Sequence, residues 1–278
     1  KSLDIPIIFH IFDLLPITHP KFFESGLVSS FNGWFSQVCN IATSLICISE
    51  DVKNEIEKYI KTHKFKAIDD TAKHLAIDVE NINAKNNLCD SLINVPEPYL
   101  LSVGTVEPRK NYDIALSSME ILWESGSNIN LCIVGKIGWK VEGFLEKLYS
   151  HPMLGKKLFL KISAEDPELN NLYKKAAGLL FLSQAEGFGL PLIEAANFGT
   201  PIICSDIPVF KEIVGSHGFY TKASCPKIVA GRIKEWWQRK EEGTLPDSKS
   251  IPLKNWKDYG TDLIKLLLQE KFQMQNKE

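Results

Sequence analysis

Short apolar runs alternate with amphipathic stretches along most of this chain. From residue 98 onward each apolar run spans four to six residues, and most are followed by a turn and by apolar residues at helical spacing. Continuous apolar strands that alternate with amphipathic helices are typical of a parallel sheet with helices on both faces. The pattern predicts an α/β fold with a complete Rossmann-like domain over residues 96–250. The predicted strands are Tyr99–Val103, Asn130–Val134, Lys157–Ile162, Gly178–Leu182 and Pro201–Cys204, and the predicted helices include 167–177 and 191–198.

Before residue 95 the chain has fewer apolar runs. Two apolar runs, 5–9 and 45–48, read as strands, and Ser49 is a good N-cap for a helix with apolar residues at 52, 56 and 60. Residues 61–95 are polar and rich in Lys, Asp and Asn, which is the composition of a linker. The pattern therefore predicts a partial N-terminal Rossmann-like domain with its linker over 1–95, and a C-terminal segment over 251–278 with a helix from Asn255 to Gln269.

Composition narrows the class of protein without naming a function. Of the 278 residues 44% are hydrophobic, which is enough for a sizeable core, and the net charge of −2 gives no bulk attraction for nucleic acid or an acidic membrane. The six cysteines lack Cys-x-x-Cys spacing, so we expect reduced, packed thiols in a cytosolic protein. We find neither a secretory signal nor an apolar run long enough for a membrane span.

Two carboxylates eight positions apart mark the strongest candidate site. Glu186 and Glu194 flank a Gly-x-Gly turn that enters a helix at Pro191, where proline suits the first helical position. Free N–H groups at a helix start favour an anion such as phosphate, and we expect Glu194 in the first turn. A diphosphate with a hydroxyl-rich sugar at each end fits this arrangement. The alternative is a tight turn in which Glu194 only complements the helix dipole.

A second candidate lies at the end of the first strand of the complete domain. There Gly104 is followed by the pair Arg109 and Lys110, which can bind two phosphates. Ligands of open α/β sheets bind at the carboxyl edge of the strands. The alternative is a solvated basic pair in a surface loop.

These segments resemble the large retaining glycosyltransferase family 4, whose members have the GT-B fold of two Rossmann-like domains facing a cleft. The resemblance rests on SVGTVEPRKN at 102–111, on VGKIGW at 134–139 and on the segment 183–213, where EGFGLPLIE matches the E-x7-E motif of the family. The chain is most similar to bacterial mannosyl- and rhamnosyl-type transferases, through Phe12–Pro16 and His74–Asp78. An early glycine-rich loop of the family has no counterpart, so the N-terminal domain is expected to be incomplete.

The resemblance implies roles for individual residues. Arg109 and Lys110 match the pair that grips the donor diphosphate, Glu186 the carboxylate that contacts the donor sugar, and Glu194 the one that binds ribose. Backbone N–H groups match those beside the diphosphate, and further residues match the lining of the nucleotide pocket. The first group is Phe188, Gly189 and Leu190, and the second is Gly104, Gly135, Lys136, Ile162 and Ser163. The C-terminal helix resembles the one that crosses back to the N-terminal domain.

We therefore expect a metal-independent hexosyltransferase that uses a GDP- or UDP/dTDP-linked donor and a glycan or lipid-linked acceptor. It needs no further cofactor, binds no nucleic acid, and works in the cytoplasm with peripheral membrane association on the inner face. Two alternatives stay open. One is a non-catalytic or truncated GT-B protein that binds nucleotide sugar as a partner subunit, and the other is a GT-B-fold epimerase.

Overall fold

Two compact units make up the protein. The computed structural model describes residues 7–65, 71–72 and 94–275. The described residues of the first unit belong to 1–78, 186–188 and 253–278, and those of the second unit belong to 79–185 and 189–252.

The first unit has a small parallel sheet. Its strands lie in the order β1-β2-β3, with Ile8 opposite Ser44 and Leu45 opposite Thr71. Ser49 is the N-cap of α3, because its hydroxyl accepts a hydrogen bond from the Val52 N–H at 3.2 Å, as the sequence predicts. The elements are β1 (Ile8–Ile11), α1 (Leu15–Thr18), α2 (Ser25–Ile41), β2 (Ser44–Cys47), α3 (Glu50–His63), β3 (Thr71–Ala72) and α10 (Trp256–Gln275).

The second unit is a six-stranded parallel sheet. Its strand order is β6-β5-β4-β7-β8-β9, and the central strands are buried on both faces. The elements are β4 (Tyr99–Val103), α4 (Tyr112–Glu124), β5 (Asn130–Val134), α5 (Glu142–Tyr149), β6 (Leu158–Lys161), α6 (Asp166–Lys175), β7 (Gly178–Phe181), α7 (Leu190–Phe198), β8 (Ile202–Ser205), α8 (Pro208–Val214), β9 (Phe219–Thr221) and α9 (Pro226–Glu241). The predicted α/β class with a parallel sheet is confirmed.

Several elements differ from the sequence prediction. Helix α3 continues to His63, into the predicted linker, and α10 starts one residue later and ends six residues later than predicted. The sequence indicates a helical stretch after the first apolar run but not the bounds of the uncharged helix α2, because its serines, glycines and asparagines blur the helical period. Of the predicted linker, 66–70 and 73–93 lie outside the described residues, and the His74–Asp78 motif lies there too.

The cysteines are packed thiols where the structure describes them. Cys39, Cys47, Cys132 and Cys204 are buried and free, and Cys225 is half-buried and free, whereas Cys89 lies outside the described residues. Burial raises the pKa of Cys39 to about 11 and those of Cys47 and Cys132 to about 12. These thiols therefore stay protonated at neutral pH. In the described part of the chain, no helix has the length and apolarity to cross a membrane.

Candidate functional site

The candidate residues of the second unit gather where its sheet changes direction. Neighbouring strands β4 and β7 lead the chain to opposite sides, β4 toward β5 and β6, and β7 toward β8 and β9. Ligands of open α/β sheets bind in the crevice at such a switch point, beyond the carboxyl ends of the strands. The loop that bears Arg109 and Lys110 follows β4, and the segment that leads to α7 follows β7. Both predicted segments therefore start at the switch point.

Hydrogen bonds join the loop after β4 to the segment after β7. The Gln184 N–H donates to the carbonyl oxygen of Arg109 at 2.8 Å, and Arg109 Nη1 donates to the carbonyl oxygen of Ala185 at 3.0 Å. Gln184 Nε2 also donates to Asn111 Oδ1 at 3.3 Å. Because these bonds run in both directions between the two segments, they fix Arg109 relative to the residues that precede Glu186.

The basic pair is held by protein contacts. The Arg109 side chain is only 16% exposed, and its Nη2 lies 2.7 Å from Oε1 of the buried Glu107. The Lys110 ammonium lies over the Phe181 ring, 4.9 Å from the ring centroid. A solvated pair in a surface loop would have neither constraint, so this alternative does not describe the structure. The two cations are oriented before any ligand binds.

The loops that follow β4 and β5 pack backbone against backbone. The Gly104 N–H donates to the Val134 carbonyl at 2.9 Å, and the Val106 N–H donates to the Lys136 carbonyl at 2.8 Å. A Cβ atom on Gly135 would lie 2.6 Å from the Gly104 carbonyl carbon, so this position requires glycine. The predicted pocket residues Lys136, Ile162 and Ser163 are exposed at the same sheet edge, after β5 and β6.

Helix α7 begins one residue earlier than predicted. Gly189 is the N-cap with φ of +116°, a conformation that favours glycine, and Leu190 is the first helical residue. Pro191 is therefore the second residue. Glu194 is the fifth and lies in the second turn, so the prediction of a first-turn position is wrong. The helix-dipole interaction falls off within the first turn, so the dipole alone does not account for Glu194.

Glu194 is a buried carboxylate with a dedicated donor. Burial raises its pKa, Asp166 raises it further, and both the hydrogen bond from Tyr173 and the Lys110 ammonium lower it. The Tyr173 hydroxyl donates to Glu194 Oε2 at 2.6 Å, and burial together with Glu194 raises the pKa of Tyr173 well above its usual value. Tyr173 therefore remains a protonated donor. The electrostatic effect of Lys110 on Glu194 links the basic pair to α7.

Glu186 and Phe188 belong with the first unit. The segment 186–188 clusters there, and the Ser49 hydroxyl donates to the Gly187 carbonyl oxygen at 2.8 Å. Ser49 is fully buried, Phe188 is buried and Glu186 is half-buried. That these two residues contact the donor sugar and diphosphate stays a prediction.

Three contacts of the candidate segments could not be predicted from the sequence. Tyr173 lies 21 positions before Glu194, Ser49 lies 138 positions before Gly187, and Glu107 is an acidic residue within a basic loop. The sequence predicts Ser49 as an N-cap and places Glu107 in the segment 102–111, but it does not show the partners of these residues, because only the tertiary fold brings each pair close. Within the described residues, His, Cys, Asp and Glu side chains form no group of three or more that could hold a metal ion. Metal independence stays a prediction.

Comparison with known proteins finds related sequences. The model of the family described as "Glycosyl transferases group 1" matches residues 84–244. The serotype-specific mannosyltransferase WbdA of Escherichia coli is 36% identical over 269 residues, which are 93% of this chain and 33% of that protein. The O-antigen chain mannosyltransferase RfbU of Salmonella typhimurium is 29% identical over 197 residues, 69% of this chain and 53% of that protein.

A solved structure has the same fold at low sequence identity. The crystal structure of HepE from Anabaena in complex with UDP and glucose is 15% identical and superposes with a TM-score of 0.67, covering 95% of this chain and 72% of that one. This likeness confirms the GT-B type of fold. The chain spans about a third of the length of WbdA. Since the family model covers more than half of the chain and coincides with the switch-point residues, the protein belongs to the group 1 glycosyl transferases.

Proposed function

We propose that the protein is a retaining glycosyltransferase that moves a mannose- or rhamnose-like hexose from a nucleotide sugar to a glycan or lipid-linked glycan acceptor. The observation that carries this proposal is the oriented pair Arg109 and Lys110 at the switch point, linked electrostatically to Glu194. The names of the mannosyltransferases WbdA and RfbU support mannose as the sugar. The donor nucleotide is GDP, UDP or dTDP.

The basic pair stabilises the leaving group. As the bond between the anomeric carbon and the diphosphate oxygen breaks, the electron pair leaves on the diphosphate. The acceptor oxygen bonds to the same face of the sugar, and its proton passes to the departing diphosphate oxygen. Cations that are fixed beforehand stabilise this developing charge without reorganising, which is the most effective form of electrostatic catalysis. Arg109 supplies a planar fork and Lys110 a point charge, so the protein needs no metal ion for this role.

Each of the remaining candidate residues binds a different part of the nucleotide-sugar donor. Glu186 accepts hydrogen bonds from sugar hydroxyls, and the backbone N–H groups of Phe188, Gly189 and Leu190 contact the diphosphate and sugar at the start of α7. Glu194 accepts the ribose hydroxyls. The loops after β4, β5 and β6 line the nucleotide pocket at the same sheet edge, with Gly104, Gly135, Lys136, Ile162 and Ser163.

Turnover with a panel of donors tests this function. The protein is incubated with GDP-mannose, UDP-glucose and dTDP-rhamnose, with and without glycan acceptors, and nucleotide release and sugar transfer are followed. We expect transfer from one donor, and a loss of at least about 100-fold in kcat for Arg109→Ala and Lys110→Ala, as for other fixed donors to a developing oxyanion. Lys222→Ala is the control, because Lys222 is exposed at the same sheet edge beside the outermost strand β9.

The outcomes separate the proposal from its alternatives. Nucleotide binding without hydrolysis or transfer would identify a non-catalytic partner subunit, and conversion of the donor sugar into its epimer would identify an epimerase. Full activity of the double variant of Arg109 and Lys110 would refute the role of the basic pair.

We further propose that the reaction occurs on the cytoplasmic face of a membrane, with α2 as the contact. This 17-residue helix has no charged residue, and Leu27, Trp34 and Ile41 recur every seven positions with exposures of 49%, 42% and 55%. Residues seven apart share a helix face, and an apolar face with aromatic side chains is suited to the membrane interface. A lipid-linked acceptor would be available there.

A further inference from the structure

Tyr173 is buried in the second unit, where its hydroxyl contacts Glu194. Its side chain is 1% exposed, and its hydroxyl lies 2.6 Å from Glu194 Oε2, which is the short distance of a hydrogen bond to a carboxylate. The main chain of Tyr173 is held as well, because Thr200 Oγ1 donates to its carbonyl oxygen at 2.7 Å. The Tyr173 ring also stacks on Phe198 at a centroid distance of 5.8 Å. The hydroxyl is therefore fixed relative to α7.

We propose that Tyr173 is a positioning residue for nucleotide binding: its hydroxyl holds one oxygen of Glu194, so that the carboxylate is oriented to accept the two hydroxyls of a ribose. This inference rests on the proposed function, which assigns the ribose to Glu194. Within the described part of the chain, Tyr173 is the hydrogen-bond donor to this carboxylate. Without it, Glu194 would have to be ordered by the ligand itself, and ordering one flexible side chain weakens binding by about three- to tenfold.

The pH dependence of nucleotide binding, through the ionisation of Glu194, gives a second and independent test of the role of Tyr173. A protonated carboxyl has one oxygen fewer to accept hydroxyl groups, so binding weakens as the pH falls through the pKa of Glu194. The groups that act on this pKa are Tyr173 and Asp166 on α6, and Lys110 on the loop after β4. Burial and Asp166 raise the pKa, whereas Tyr173 and Lys110 lower it. Removing the Tyr173 hydroxyl therefore raises it further, and binding is lost at a higher pH than in the wild type.

The experiment compares two tyrosine-to-phenylalanine variants. Tyr173→Phe keeps the ring and removes the hydroxyl. Tyr99→Phe is the matched control, because Tyr99 is also 1% exposed and its hydroxyl donates to the Leu172 carbonyl of the same helix α6 at 2.7 Å. The dissociation constants of GDP and UDP are measured by titration calorimetry from about pH 8 to about pH 5.5, a range in which a carboxyl with a raised pKa can titrate.

We expect Tyr173→Phe to bind the preferred nucleotide about three- to tenfold more weakly at pH 8, and to lose binding at a higher pH than the wild type. Tyr99→Phe should match the wild type in both affinity and pH profile. Equal behaviour of the two variants would overturn the inference. Binding of neither nucleotide by the wild type would instead refute the proposed function, so the two failures are distinguishable.

A double-variant cycle keeps the inference testable if the hydroxyl also contributes to folding. Glu194→Ala removes both the titrating carboxyl and the acceptor of the Tyr173 hydroxyl. Its binding should keep only the pH dependence of the nucleotide phosphate, and a further Tyr173→Phe change should weaken binding no more. An additional three- to tenfold loss in the Glu194→Ala background would assign the effect to the packing of α6 and overturn the positioning role.

Discussion

Replacing Gly135 with alanine tests the close packing of the two loops that begin the candidate site. The new Cβ would lie 2.6 Å from the Gly104 carbonyl carbon and closer still to its oxygen, whereas ordinary contacts start at 3.4 Å. The carbon of the Gly104 carbonyl must therefore retreat by about 0.8 Å and its oxygen by more, taking that start of ordinary contact as the limit. Both of these atoms, which the new Cβ would meet, belong to the Gly104 backbone, so no flexible side chain can move aside.

The cost follows from what the Gly104 carbonyl already does. It accepts a hydrogen bond from the Tyr112 hydroxyl at 2.7 Å, and a displacement of this size disturbs the geometry of that bond. Overpacking of a tight site costs about 1–3 kcal/mol and a lost hydrogen bond about 0.5–1.5 kcal/mol. We expect Gly135→Ala to lower the free energy of unfolding of the second unit by about 2–4 kcal/mol.

Urea unfolding followed by tryptophan fluorescence measures this loss. With a typical urea dependence, the midpoint should fall by about 1 M. Gly231→Ala is the control, because Gly231 lies exposed within α9 with nothing within 4 Å of a new Cβ. Alanine is favoured there by helix propensity, so we expect about 0.5–1 kcal/mol of added stability. An unchanged midpoint for Gly135→Ala would refute the reasoning about the packed loops.

Two further predictions concern the first unit. Ser49→Ala removes both the cap of α3 and the donor to Gly187, so we expect a loss of about 1–3 kcal/mol in urea unfolding and slower transfer, with most of both recovered by Ser49→Thr; wild-type stability of Ser49→Ala would contradict this. Trp34→Ser should reduce flotation with vesicles of mixed neutral and anionic lipid. Equal flotation of Trp34→Ser and wild type would argue against α2 as the membrane contact.

The sequence predicts most of the second unit because its strands are continuous apolar runs. The runs at β4, β5 and β7 are buried on both faces, which leaves little doubt about strand type, and the helices between them follow from the parallel connections. The hydrophobic pattern does not predict the bounds of helix α2. Its residues are uncharged throughout and exposed apolar side chains lie outside the buried face, so the contrast that reveals an amphipathic helix is missing.

The residues of the candidate site also differ in whether the sequence predicts them. Arg109, Lys110 and Glu194 are visible in the sequence because their residue types and their positions after strands carry a chemical meaning. Their partners Glu107 and Tyr173 carry none, because a buried tyrosine or glutamate becomes functional only through the side chain it contacts. The sequence predicts Glu194 in the first turn of α7 rather than the second, because a proline indicates the start of a helix only to within a residue or two.

The central claim is that Arg109 and Lys110 bind a diphosphate at the switch point of the second unit. Calorimetric titration of guanosine against GDP, and of uridine against UDP, isolates the contribution of the two phosphates. For the wild type we expect the preferred diphosphate to bind at least about 100-fold more tightly than its nucleoside, since each charge-assisted hydrogen bond contributes about 1.5–3 kcal/mol. In the double variant Arg109→Ala, Lys110→Ala this difference should fall to the smaller contribution of the backbone N–H groups at the start of α7. An undiminished difference in the double variant would contradict the account.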